Sequence, residues 1–161
     1  GLAAGVATFL ATPSSANLAS AVTDEVGSGS LVFSTSGTFV PVLNFGGATT
    51  GITYVTQAAT YTLIGATISF SIFIQLSSKG SATGSATITG FPNASRAGST
   101  GNYFAGAPTS ITFTGLFFGQ INASSSTMSI LQYTTATTPL AITDVGFVNT
   151  SRISITGTYL I

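Results

Sequence analysis

Hydrophobic positions recur with two different periods along this chain, and the change from one to the other falls near Gly27 to Gly29. Before the change, Leu2, Val6, Phe9 and Leu10 follow one another at i, i+4, i+7 and i+8, and Leu18, Val22 and Val26 at i, i+4 and i+8. Both sets are helical stripes and predict two short helices. Between them, Thr12 followed by Pro13 offers a cap and a first-turn residue, since Thr accepts an orphan N–H and Pro has none to satisfy. Helices of roughly two to three turns are not stable alone in water, so these narrow apolar faces require a partner.

After the glycines the period becomes two. Phe39, Pro41, Leu43 and Phe45 alternate with Val40, Val42 and Asn44, and Ile68, Phe70, Ile72, Ile74 and Leu76 alternate with Thr67, Ser69, Ser71, Phe73 and Gln75. Such alternation predicts strands with one buried and one hydroxylated face. Weaker copies occur at Tyr61 to Ile64, Ala86 to Ile88, Ile111 to Phe118, Met128 to Tyr133, Leu140 to Ile142 and Ile153 to Ile161. Glycine, serine and proline turn signals separate them, with no helical pattern between. The expected fold is mainly β: an antiparallel, jelly-roll-like β-sandwich over residues 31–161, preceded by a helical neck or linker over residues 1–30. Pro92 to Pro108 reads as a long irregular connection, and so as the first place to seek contacts with a ligand.

Composition narrows the chemistry. Only Lys79, Arg96, Arg152, Asp24, Glu25 and Asp144 carry full charges at neutral pH, whereas 22 Ser and 28 Thr supply uncharged hydrogen-bonding groups. Net charge is zero and mean hydropathy +0.57, a combination that promotes association. Three dispersed cations provide no footprint for phosphates, so no nucleic acid is expected as a partner. With neither Cys nor His, the chain lacks thiolate nucleophiles, imidazole bases and most metal ligands, and neither a metal nor a cofactor is expected. The apolar runs fall well short of the roughly 20 residues that cross a bilayer as a helix, so no membrane insertion is expected. The first residues, without an initiator Met or a basic stretch, read as a cut inside a longer polypeptide.

Catalysis finds little support. Asp24 and Glu25 are adjacent near the end of a predicted helix and point in different directions, and Asp144 is alone in a turn. Lys79 in Ser-Ser-Lys-Gly-Ser reads as a solvated turn residue. Asn93-Ala-Ser, Asn122-Ala-Ser and Asn149-Thr-Ser match a glycosylation pattern that arises easily in so hydroxyl-rich a chain. Five Tyr and twelve Phe beside many hydroxyls and amides suit sugar binding, although Phe39, Phe45, Phe70 and Tyr61 fall in the alternating pattern and belong to the core. Tyr103 and Phe104 fall outside any pattern. Together with Arg96 and Asn102 they are the candidate receptor-binding residues; there is no candidate catalytic residue.

Two stretches carry a family likeness. GVATFLATPSSANLASAVTDEVGSGSLVF resembles the linker before the terminal domain of tailed-bacteriophage fibre and tailspike proteins, and GTFVPVLNFGGATTGITYVTQAATYTLIGATISFSIFIQL resembles the start of the receptor-binding tip of such fibres. The likeness covers the first half of the chain, with Phe39 where many relatives carry Trp. It implies a homotrimeric tip in the virion, attached to the remainder of the tail fibre, whose helices form a three-chain neck. It also implies contact with the host surface through loops at the far tip or grooves between subunits; the scarcity of charged side chains makes the expected adsorption, to a host cell-surface glycan or other receptor, a non-enzymatic one. Two other readings remain open: a polysaccharide depolymerase module of a tailspike, and a self-associating or outer-membrane β protein.

Overall fold

The computed structural model describes residues 5–21, 34–99, 101–134 and 138–161. The chain divides into two units, Gly1–Phe33 and Ser34–Ile161. In the first, α1 (Val6–Ala11) and α2 (Ser15–Ala21) stand where the helical stripes lie. The cap between them differs from the expected one. Ser14 Oγ accepts the Asn17 N–H at 3.1 Å, whereas Thr12 closes α1, its N–H and hydroxyl both donating to the Thr8 carbonyl. Pro13 therefore precedes the cap. Leu2, Val22, Val26, the carboxylates Asp24 and Glu25 and the Gly27–Gly29 breaker lie outside the described residues.

The second unit is antiparallel β throughout. Its strands are β1 (Ser34–Phe39), β2 (Val42–Phe45), β3 (Thr53–Ile64), β4 (Thr67–Ser78), β5 (Ala86–Thr89), β6 (Asn102–Ile111), β7 (Leu116–Ile121), β8 (Met128–Tyr133), β9 (Leu140–Ala141) and β10 (Phe147–Leu160). The order β1-β3-β4-β10-β6-β7-β8-β5-β2 forms one hydrogen-bonded path, with β9 beside β8. This corrects the expected two-sheet sandwich: the sheet is continuous and curls into a half-barrel. Continuity comes from β6, whose Asn102–Ala105 half pairs with β7 while its Gly106–Thr109 half pairs with β10.

The expected single strand from Phe39 to Phe45 is two. Pro41 has no N–H for a ladder, and the chain leaves β1 at one edge of the path to enter β2 at the other. Two linking residues, Val40 and Pro41, span at most about 10 Å, so the two edges must approach each other and the sheet must curl.

The inner face is the core. Ile68, Phe70, Ile72, Ile74 and Leu76 on β4 are all buried, as their alternation requires, facing Ile88, Ile121, Met128 and Ile130 from β5, β7 and β8. Each fully buried aliphatic side chain contributes about 1.5–3 kcal/mol. Phe70 forms edge contacts with Phe91, Phe104 and Tyr159, at centroid distances of 5.3, 5.0 and 6.0 Å. The outer face is hydroxylated. Ser36, Thr62, Ser69 and Thr158 form one row across β1, β3, β4 and β10, and Thr38, Thr60, Ser71 and Thr156 form the next.

Candidate functional site

The irregular connection expected from Pro92 to Pro108 is largely strand. Asn102, Tyr103 and Phe104 open β6, and only the preceding segment lacks regular structure. That segment is tied down. Arg96 N–H donates to the Leu160 carbonyl at 2.7 Å, Ser95 N–H to the Ser125 carbonyl, the Ser95 hydroxyl to the Asn122 carbonyl, and the Tyr159 hydroxyl to the Asn93 carbonyl at 2.9 Å. Burial pushes the Tyr159 phenol up to about 12.

The four sequence candidates separate. Phe104 points inward and is buried in the core, so it is not exposed to a ligand. Arg96 and Asn102 both line a depression of about 320 Å³, completed by Ala97, Gly98, Ser99 and Leu160. The Ser99 Oγ is buried there without a hydrogen-bond partner among the described residues. Tyr103 projects from the opposite face of β6 to Phe104, half exposed, and leads an aromatic ladder across three strands. Its ring lies 5.7 Å from Phe118 on β7, and Phe118 stacks on Tyr133 of β8 at 4.8 Å and 20°. Phe118 is thereby buried outside the main core cluster, under the two tyrosines. Gln120 stands directly beside Tyr103 in register.

Sequence reasoning passed over a second cluster. Lys79, expected to be a solvated turn residue, is only 25% exposed, and its Nζ donates to Asp144 Oδ2 at 3.3 Å. It also lies 5.8 Å from the centroid of the Phe45 ring. Asp144 Oδ1 accepts the Gly84 N–H at 2.8 Å. That bond first, and then Lys79, holds the Asp144 carboxyl below its ordinary pKa. The Lys79 N–H donates to Asn149 Oδ1 at 3.0 Å. Beside it a depression of about 490 Å³ is lined by Lys79, Phe147, Val148, Asn149 and Thr150. The depression exists because β10 bulges: Phe147 pairs with Ile111 and Arg152 with Thr109, leaving Val148 to Ser151 opposite Ser110 alone. Buried Ser151 pins the bulge, accepting the Val148 N–H at 2.8 Å and donating to the Ser110 carbonyl at 2.6 Å. The pairing of Lys79 with Asp144, 65 residues apart, leaves no local sequence signal.

No protein-family model matches the chain, and no curated protein sequence matches it. Among solved structures the chain is similar to the crystal structure of the Dettilon tailspike protein (gp208), with a TM-score of 0.66 and 19% identity. The match covers 78% of this chain and 23% of that one, so the chain spans about a quarter of the tailspike's length. At this identity the likeness is one of fold: the half-barrel is an architecture that a phage tailspike also contains.

Proposed function

We propose that the chain is a phage tail-associated adhesion domain, a non-enzymatic homotrimer that binds a host cell-surface glycan at the tip of a tail fibre. The observation that carries this reading is the shared half-barrel, matched to a tailspike protein over 78% of the chain. The outer surface supports it: uncharged hydroxyl rows and the exposed Tyr103 ring suit hydrogen bonding to, and stacking on, sugar rings. Arg96, Asn102 and Tyr103 are the proposed contacts at one end of the unit.

A trimeric neck over residues 1–30 agrees with α1, which buries no residue and leaves Leu10 62% exposed. Trimerisation would place three copies of each weak site on one tip, and avidity would then set the strength of adhesion. The non-enzymatic reading draws support from Asp144, whose two carboxylate oxygens are already engaged by Gly84 and Lys79.

The test is direct. Light scattering should give about three times the 16.1 kDa chain mass. On an array of bacterial capsular and lipopolysaccharide glycans the chain should retain a ligand without releasing new reducing ends, and Tyr103→Ala should weaken that retention. New reducing ends would replace adhesion with depolymerisation, and a monomer would remove the neck.

A further inference from the structure

The half-barrel has two unlike ends. Ser34 pairs with Ile64, Ile64 with Thr67 and Thr67 with Leu160, while Ile161 N–H donates to the Ala66 carbonyl. The first and last residues of the unit therefore stand at the same end, which is also where Arg96 bonds to Leu160. Among the described residues the opposite end carries the turns around Gly46, Gly80 and Gly84 and a 3-10 turn at Asp144–Gly146. Leu160 and Phe147 close the two ends of β10 and, with the bulge taken up, stand roughly 30 Å apart along the ladder. Ser34 and Ile161 thus bound the unit at the Arg96 end, and the turns around Gly46, Gly80 and Gly84 stand at the other.

The turns at that end are cross-bonded and carry the Lys79 cluster. Thr50 accepts the N–H groups of Ser81 and Ala82, Gly84 accepts from Asp144, and Gly46 donates to Ser85. A Cβ on Gly80 would collide with the Thr50 carbonyl oxygen, and Gly80 has φ +70°, so only glycine lets these turns close on each other. On such a base, Lys79 is held by its own N–H and by its ammonium, the latter engaged by Asp144.

The chemistry of the depression is donor-rich and electrically neutral. A Lys ammonium has three donors, of which Asp144 takes one; the Asn149 amide has two on its nitrogen; the Thr150 hydroxyl adds another. Asp144 cancels the Lys79 charge, so an added anion would gain little here and would meet a carboxylate behind the ammonium. Val148, half exposed, supplies an apolar wall. Convergent donors, an apolar wall and no net charge match the hydroxyls and C–H face of an uncharged sugar ring.

We propose that this depression binds an uncharged saccharide unit of the host-surface glycan, with Lys79, Asn149 and Thr150 donating to its hydroxyls and Val148 covering its C–H face. The proposal rests on the adhesion reading above and places a contact at the end opposite Arg96.

Backbone amide NMR of the full chain, titrated with D-glucose, D-galactose, L-rhamnose and D-glucuronate, tests it. At least one neutral sugar should shift the amides of Lys79 and of residues 147–150, and D-glucuronate should bind more weakly than D-glucose. Asn149→Ala and Thr150→Val, each checked for an unchanged melting temperature, should weaken that binding at least tenfold, while Tyr103→Ala should not affect it. Tighter binding of D-glucuronate, or shifts confined to residues 96–103, would overturn this inference and leave adhesion standing. The absence of any shift with the neutral sugars would also overturn it, whereas failure of the adhesion reading shows separately, as no glycan retained on the array.

Discussion

The Tyr54 hydroxyl on β3 lies 3.1 Å from the Leu43 N–H and 3.4 Å from the Leu43 carbonyl on β2, bonding to both backbone groups of one residue. These strands sit near opposite ends of the hydrogen-bonded path, so the contact crosses the gap that the backbone ladder leaves open. Gln57 repeats it, its Nε2 donating to the Pro41 carbonyl at 3.0 Å. Burial raises the Tyr54 phenol above its ordinary pKa, which keeps the hydroxyl protonated and able to donate. Tyr54→Phe retains the ring but leaves both Leu43 groups without this partner. It should cost about 1–3 kcal/mol in urea unfolding. A loss below about 0.5 kcal/mol would mean that water replaces the hydroxyl and that the gap needs no bridge.

Acid should weaken the fold through Asp144. Its folded pKa lies below the unfolded value of about 3.9, so the carboxylate contributes stability that is complete above that value. As pH falls through the folded pKa the contribution disappears. Melting temperature followed from pH 7 to pH 2 should therefore drop below about pH 4, and Asp144→Asn should flatten the drop. An equally steep acid limb in the variant would assign it to other groups.

Alkali acts at the other end of the unit. Tyr159 is 2% exposed and its phenol is raised to about 12, above an unfolded value of about 10. The protonated form is the one the fold favours, so this contribution is full below about pH 10 and is lost as pH rises through about 12. In ultraviolet titration at the phenolate band, Tyr159→Phe should remove absorbance that otherwise develops only near pH 12. Removal of absorbance that develops near pH 10 instead would show that the hydroxyl is solvated.

Gly157 tests core packing without backbone strain. It stands opposite Phe70, and a Cβ there would overlap the Phe104 ring. Gly157→Ala should cost about 1–3 kcal/mol through displaced aromatics. An unchanged denaturation midpoint would show that Phe104 has room to move.

Alternation alone was enough to find the core strand. Every inward position from Ile68 to Leu76 is buried because β4 lies mid-sheet, where both neighbours enforce a single register. Met128 to Tyr133 likewise has the bounds expected of it. β6 escaped because its inner face is reduced to Phe104, Gly106 and Pro108, and glycine and proline read as turn residues. Gly106 is small because Phe117 and Ile155 already occupy the space its Cβ would take. Pro108 lies in the half of β6 that pairs with β10 alone, where a missing N–H is tolerated as at an edge. Of the candidate receptor-binding residues, Arg96 and Asn102 line one depression and Tyr103 is exposed. Phe104 was misread with its strand. Lys79, Asp144 and Asn149 come together only through the curl of the sheet and the β10 bulge, which leave no periodic trace.

Adhesion to a glycan is the central claim, and the most direct measurement is binding of the labelled chain to bacterial cells after the cell surface is altered chemically. Periodate oxidation of surface sugars should abolish binding, whereas protease treatment should leave it intact. Binding that survives periodate and is lost to protease would contradict the account and make the receptor a protein.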